Sequence, residues 1–504
     1  MNVALGIIFG WLAITTAVGI AAGLGRRRRL DDRQARDEFL VGGRTFGAVL
    51  LYVMMAAEIY SAYAFLGLAG WAYDPGAPIY YGLAYGSIAY AIYFFLGPRI
   101  NRLGKRLGYL TQPDFMADRY DSRGLGVLTA AMGIIATLIY LELQILGAGI
   151  IVEIASNGVV RAWQARVIAF GLIVVFVSTS GIRGVGWTNL LQAAIMLVGM
   201  VAAGLVITHT FFGGIAPMFA RLREVSPGHL DLAGVDGSYG VTWYTSAVLM
   251  SAIGFWMWPH IFQATYTARS ERIVRRNACV LPLYQLALLP VILVGFSCFL
   301  VLKDQGVSIP HKDQAMMVTL SRFFPSWFTG AVAAGGLAAA VSTSSALILS
   351  TATLVARNVF QQGLRPAASD RAVTWTARGA ILPITLAAVV MSFYLPDSLV
   401  DLILLGYSLP LQLAPALLLG IFWPRVRREA VWVGLIAALA VLIWMVATRQ
   451  ESPWGIHFGF WAFLPNLAIV GVWSALRPAD RRTVQRFGPV LWPGADPGDH
   501  RPRP

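Results

Sequence analysis

Long apolar stretches recur along almost the whole chain, and this leaves few options for its fold. A helix needs about 20 mostly apolar residues to cross the hydrocarbon core of a bilayer. Thirteen segments reach or approach that length: residues 3–24, 45–71, 78–97, 124–153, 167–181, 188–211, 245–263, 278–302, 327–355, 379–395, 398–423, 430–447 and 459–476. Only 13% of the residues are charged, against about 25% in soluble domains, which excludes a solenoid, a disordered protein and most cytosolic enzymes. The expectation is an all-α integral membrane protein with about thirteen spanning helices. The first segment is too long for a signal peptide, and no small-residue cleavage site precedes the arginine run at 26–29, so it reads as an uncleaved helix.

A net charge of +14 would suit nucleic acid or an anionic membrane face. With the N-terminus outside and sides alternating, 31 of the 39 basic residues fall in inside segments and 8 in outside segments. The positive-inside rule then orients the chain with its N-terminus outside and its C-terminus in the cytoplasm. The basic excess belongs to loops beside anionic lipid, not to a nucleic-acid groove. Cys279 and Cys298 lie in apolar runs and make neither a disulfide scaffold nor a metal-site spacing. The chain shows no P-loop, no dinucleotide fingerprint, no His/Cys metal cluster and no catalytic motif. One membrane domain over 1–477 is expected, with short helices in its external loops at 215–225 and 314–324. A cytoplasmic tail over 478–504, rich in Pro, Arg and Asp, is expected to be disordered.

Two spans have irregular centres. In 45–71, Glu58 and Ser61 fall near mid-depth; in 245–263, the run from Gly254 to His260 combines helix breakers with a ring nitrogen. These spans open two five-helix sets, 45–211 and 245–423, which enter the membrane from opposite sides because five is odd. The remaining segments, 3–24, 430–447 and 459–476, stand outside these core repeats. Paired interrupted helices in inverted halves point to a transporter site: unwound backbone frees carbonyls for a cation, and half-helix N-termini attract an anion. A third stretch, Gly335 to Ser345, is rich in small residues. It serves either close helix packing or an oxygen cage from Ser342 and Thr343 that suits a hard cation such as Na⁺.

These residues resemble the sodium:solute symporter family over nearly all of 40–430. The most specific mark is Gly-Gly-Leu-x-Ala at 335–339 followed by Ser342-Thr343. Supporting marks are Gly42-Gly43-Arg44, Gly67-Leu68-x-Gly70, Thr111-x-Pro113-Asp114-Phe115, Gly184-Val185-x-Trp187-Thr188 with Gln192, and Pro259-His260 with Arg269. The resemblance implies the leucine-transporter type of fold, an inverted five-plus-five repeat over the second to eleventh spans. It implies a Na⁺ site from the carbonyls of Ala57, Tyr60 and Ala339 and the hydroxyls of Ser342 and Thr343, with Na⁺ as coupling ion and no other metal or cofactor. Matching substrate positions are Glu58, Ser61, Ala62 and Tyr63; Tyr140 and Gln144; Ser251, Phe255 and Pro259; and Tyr407 with Gln412. Where the family usually has acids, this chain has Asn189 and Ile59, which bears on stoichiometry and ion identity. A proton-coupled variant with Glu58 titrating is the alternative. Glu142 is a second intramembrane acid, and His260 takes either a structural hydrogen bond or a substrate contact.

The run from Ala57 to Tyr63 followed by Phe65-Leu66-Gly67 looks most like the monocarboxylate branch of the family. That implies a small organic acid such as pyruvate, lactate, acetate or propionate, with proline, pantothenate or a sugar as alternatives. The implied activity is secondary active symport by alternating access in a bacterial plasma membrane, not enzymatic turnover. Some relatives fuse this core to a histidine kinase as sensors; the chain ends about 28 residues after its last span, which favours the carrier.

Overall fold

The computed structural model of the chain describes residues 3–24, 30–394 and 398–492. The helices are α1 (Val3–Leu24), α2 (Asp32–Val41), α3 (Ala48–Ile59), α4 (Leu68–Tyr73), α5 (Tyr81–Leu107), α6 (Gln112–Arg119), α7 (Arg123–Ala155) and α8 (Ala162–Phe212). After these come α9 (Ile215–Val225), α10 (Val241–Gly254), α11 (Pro259–Thr267), α12 (Glu271–Gln285), α13 (Leu288–Asp304), α14 (Ala315–Phe323) and α15 (Ser326–Leu354). The last are α16 (Asp370–Met391), α17 (Leu399–Leu411), α18 (Gly420–Phe422), α19 (Arg428–Ala447), α20 (Phe458–Leu476) and α21 (Arg481–Leu491). Side-chain caps mark several starts: Ser122 accepts the Leu125 N–H, Ser270 that of Ile273 and Ser398 that of Asp401, each satisfying a donor the helix leaves open.

Among the described residues, nine helices are long and apolar enough to cross a membrane, ten if the bent pair Leu399–Leu411 and Pro415–Phe422 counts as one. The sequence expectation is thirteen, and the difference has structural causes. α8 carries both 167–181 and 188–211 in one element, kinked at Gly181, whose φ of 59° and ψ of −152° suit glycine. The segments 45–71 and 245–263 are interrupted, so their longest apolar helices, Ala48–Ala57 and Val241–Met257, are short. Short helices do occur at the positions expected for them in loops, as α9 and α14.

α15 runs through the centre. Its apolar window is wholly buried, and it packs on α8, α7, α1 and α16. Small residues permit this approach: a Cβ at Gly335 would sit 3.5 Å from the Gly199 Cα. Both core sets open on an interrupted helix: α3 and α4 in the first, α10 and α11 in the second.

The arginine-rich loops are cross-braced. Asp114 closes the capping box of α6 through Oδ2, which accepts the Leu110 and Thr111 N–H groups at 2.8 and 3.2 Å. Its Oδ1 accepts from Arg357, Asn358 and Gln362 at 3.1, 3.3 and 2.6 Å. The expected disordered tail is corrected over 481–491. α21 is a helix capped by Asp480, and it buries Phe487 and Leu491. Val484, Phe487 and Leu491 recur at helical spacing and give it an apolar stripe to bury. Residues 493–504 of that expectation lie outside the described residues.

Candidate functional site

The first interruption creates acceptors. α3 ends at Ile59, and Tyr60 turns to extended backbone with φ −86° and ψ 119°. Helical bonding resumes with the Phe65 N–H on the Ser61 carbonyl at 3.0 Å, which leaves the Ala57 and Tyr60 carbonyls without a helical N–H. α15 supplies their partners. Ser342 Oγ donates to the Ala57 carbonyl at 2.9 Å and lies the same distance from the Ala339 carbonyl. Thr343 Oγ1 donates to the Tyr60 carbonyl at 3.0 Å. Residues 339, 342 and 343 share one helix face, as i, i+3 and i+4 must. The structure therefore brings together the five oxygens expected of the Na⁺ site, all on buried residues. A hydroxyl both donates and accepts, so Ser342 and Thr343 can rotate their protons away and turn lone pairs to a cation without moving the backbone. Among the described residues no group of three or more His, Cys, Asp or Glu could hold a metal; this donor set is neutral oxygen, which suits a weakly held alkali ion.

The substrate positions gather around the two interruptions. Gln144 Oε1 accepts the Ala62 N–H at 2.8 Å. Tyr63 donates to the Tyr81 hydroxyl at 3.1 Å. The Tyr140 ring lies 5.1 Å from Trp258 and 6.1 Å from His260, and Trp258 lies 5.6 Å from Tyr407. Tyr85 stands 6.2 Å from Phe255 and 6.3 Å from Tyr407. Pro259 starts α11 and packs against α7 at Gly133. Ser251 projects from α10 one turn before Phe255. Every one of these residues is buried, Tyr140 and Phe255 being the most exposed at 7%, so the cluster is enclosed on both sides.

Three of its buried donors have no hydrogen-bond partner among the described residues: Gln144 Nε2, Ser251 Oγ and Trp258 Nε1. His260 Nδ1 is likewise without one. Among the described residues, no lysine or arginine belongs to the cluster.

Several positions fall elsewhere. Gln412 turns away from the cluster: its Nε2 donates to the Ser408 and Gly459 carbonyls, both at 3.0 Å, bridging α17 to α20. Glu142 is buried on α7, but at about 100° per residue it points roughly 200° away from Tyr140, towards the field of Arg166. Asn189 is buried on α8 with both amide atoms unpartnered among the described residues. It shares a face with Gln192 and Met196, whose sulfur lies 3.8 Å from Ser342 Oγ. Ile59 closes α3, and the side chain of Glu58 lies outside the described residues. Sequence reasoning missed Tyr81, Tyr85 and Trp258. The tyrosines stand in a span read only for its hydropathy, although their spacing of four places them on one face.

Comparison with known proteins follows the same lines. The model of the sodium:solute symporter family matches residues 39–438. An uncharacterized symporter of Bacillus subtilis (strain 168), YhjB, is 35% identical over 481 residues, covering 93% of this chain and 96% of the relative. A monocarboxylate transport permease protein of Rhizobium johnstonii is 26% identical, covering 94% and 97%. Among solved structures, a Na⁺-coupled sialic acid symporter in a substrate-bound outward-open state superposes with a TM-score of 0.77 at 16% identity, covering 95% of this chain and 99% of that one. That likeness concerns the fold, which is the leucine-transporter type. These relatives are transporters rather than enzymes, and the chain, a multi-pass membrane protein that couples Na⁺ to the passage of a small organic solute, belongs to the sodium:solute symporter family.

Proposed function

We propose that the chain carries a small monocarboxylate, such as pyruvate, lactate, acetate or propionate, into the cell with Na⁺. The observation that carries this reading is the chemistry of the enclosed cluster. An indole N–H only donates, and the Gln144 amide already spends its acceptor on the Ala62 N–H. Leaving such a donor buried and unsatisfied costs about 1–3 kcal/mol, so the cluster favours a ligand rich in acceptors. A carboxylate is one, and the neighbouring cation site offsets its charge where no arginine does. The half-helix α11 adds its positive N-terminal end. The Rhizobium relative named as a monocarboxylate permease supports the same class.

The five oxygens of Ala57, Tyr60, Ala339, Ser342 and Thr343 are the proposed Na⁺ ligands. The proposed substrate contacts are Ser61, Ala62, Tyr63, Tyr140, Gln144, Ser251, Phe255, Pro259 and Tyr407, joined by Trp258 and Tyr85. The proposed setting is the plasma membrane, with the N-terminus outside and the arginine-rich loops in the cytoplasm.

The test is uptake by proteoliposomes of labelled monocarboxylates, proline, pantothenate and a sugar, with and without an inward Na⁺ gradient. The expected result is gradient-dependent uptake of a monocarboxylate, competed by other monocarboxylates. Uptake of proline or sugar alone would remove the reading.

A further inference from the structure

α21 lies across a joint. α5 ends at Gly108, whose φ of 74° is left-handed, and α6 begins at Gln112. Glycine takes that conformation without strain, so α5 stops here and the chain turns into α6 through a short connection. The two helices it joins belong to different packing groups. α5 packs on α10, α11 and α12, and Arg102 pairs with Glu271 of α12 at 2.6 Å. α6 packs on α7 and is tied through Asp114 to the segment that continues α15. The second interrupted helix thus packs on α5, while α6 sits mainly against α7 and the extension of α15 and reaches that interruption only through Gln112, whose Nε2 donates to the Met257 carbonyl at 2.9 Å.

The C-terminal helix grips both. Arg102 and Arg106 of α5 donate to the Val490 and Pro489 carbonyls, each at 3.0 Å. Arg486 of α21 pairs with Asp118 of α6 at 2.7 Å, and Arg482 pairs with Asp121. Phe487 meets Phe115 edge to face at 6.3 Å. Trp492 Nε1 donates to the Ile421 carbonyl of α18 at 3.0 Å. The grip has a buried apolar part, Phe487, Val490 and Leu491, and a polar rim. The Arg482–Asp121 pair is about 60% exposed on both sides, and a cavity of about 330 Å³ lined by Arg119, Arg428, Glu429, Asp480 and Arg482 opens beside it, between the starts of α21 and α19 and the end of α6. Such contacts form and part readily, because exposed ion pairs are weak and screened.

Alternating access needs one helix group to rock against the other around the site. We infer that α21 is a strap: it splints the α5–α6 joint, holds this side of the molecule shut, and restrains the step that opens it. Transport is thus slowed by the chain's own C-terminal helix until the strap lifts.

The test uses the full chain in proteoliposomes, with Na⁺-driven uptake of whichever solute the wild type carries. Arg482→Ala with Arg486→Ala weakens the strap and leaves the site residues alone. The expected maximal rate rises about twofold or more as the closed population falls. In the opposite arm, Asp118→Cys with Arg486→Cys, in a Cys279→Ser background, is bridged by a short reducible bis-thiol reagent. The expected rate falls and returns on reduction, while each single-cysteine variant is unaffected by the reagent. An unchanged or lower rate in the monodisperse double-alanine variant overturns the inference, as does a bridge that forms without slowing transport.

Discussion

At the scale of single residues, the proposed Na⁺ ligands are neutral oxygens with no carboxylate among them. Ser342 and Thr343 each replace a missing helical N–H at the interruption. A contact with a charged group is worth about 1.5–3 kcal/mol, so losing one cage hydroxyl is expected to raise the half-saturating Na⁺ concentration roughly 10- to 150-fold. Ser342→Ala with Thr343→Ala is expected to abolish Na⁺-driven uptake, and normal Na⁺ activation of that double variant would sink the assignment. Gln144→Glu tests the donor argument. It keeps an acceptor for the Ala62 N–H, removes the amide donor and adds a charge, so carboxylate uptake should collapse while the protein still purifies folded. Uptake at the wild-type rate would show that Gln144 does not face the substrate. Asp313, in the connection between α13 and α14, offers a pH readout. Burial holds its carboxyl above the usual carboxylate range, opposed in part by the Leu399 N–H and by His311 and Lys312; Asp401 pushes the same way as burial. The Leu399 N–H reaches Oδ2 at 2.9 Å. An acid whose folded pKa is raised binds a proton the unfolded chain has released, so it costs stability as pH rises from the ordinary carboxylate range through the raised value. Asp313→Asn keeps the acceptor without the charge. Its melting temperature should exceed that of the wild type at about pH 8, with the gap closing towards about pH 4, where both forms are neutral. A pH-independent gap would contradict the assignment.

At the scale of elements, the position of the broken helix depends on how closely α7 approaches it. A Cβ at Gly147 would overlap the Ala62 methyl. Gly147→Val is therefore expected to push the interruption off α7, costing about 1–3 kcal/mol as overpacking does and lowering the maximal rate in the same uptake assay. Gly171→Ala is the control: a Cβ there meets nothing within 4 Å, and alanine favours a helix by about 0.5–1 kcal/mol, so that variant should be neutral or stabilised. Full transport by the valine variant would show that this contact does not set the site. What was legible in the sequence follows the same logic. Hydropathy marks where a chain enters lipid, and Trp258-Pro259 marks where a helix cannot continue. The small residues of α15 mark where it packs closely. Hydropathy does not say which face of a span looks inward, which is why Tyr85 stayed hidden in an apolar run and Gln412 was assigned to the wrong neighbour. α21 was misread because its Arg and Pro content masked three apolar residues at helical spacing. Such a short helix is stable only through the surfaces it docks on, and those come from loops hundreds of residues earlier in the chain.

At the scale of the whole molecule, orientation and packing make separate demands on α1. The helix packs on α8 and α15; a Cβ at Gly330 would lie 2.6 Å from the Ala4 Cα, and one at Gly23 would lie 2.8 Å from the Ser180 Cα. Those contacts exist only if α1 enters the membrane in one direction. On the proposed orientation, the arginine run at 26–29 biases that direction. Each basic residue near an anionic membrane surface is worth about 1 kcal/mol, so the four together supply roughly 4 kcal/mol of preference for keeping that end in the cytoplasm. On the proposed orientation, the later loops carry most of the 31 basic residues on the inner side, enough to orient the remaining spans. Replacing the four arginines with asparagine is therefore expected to separate the two ends of the chain. A C-terminal reporter should stay cytoplasmic, while an N-terminal epitope loses its uniform external labelling and becomes partly protected. Molecules with α1 misplaced lack its seat on α8 and α15, so uptake per molecule should fall in proportion to the protected fraction. If the N-terminus stays fully external after the substitution, packing of α1 rather than the arginine run sets its direction. If both ends invert together, the later loops do not hold the orientation assigned to them.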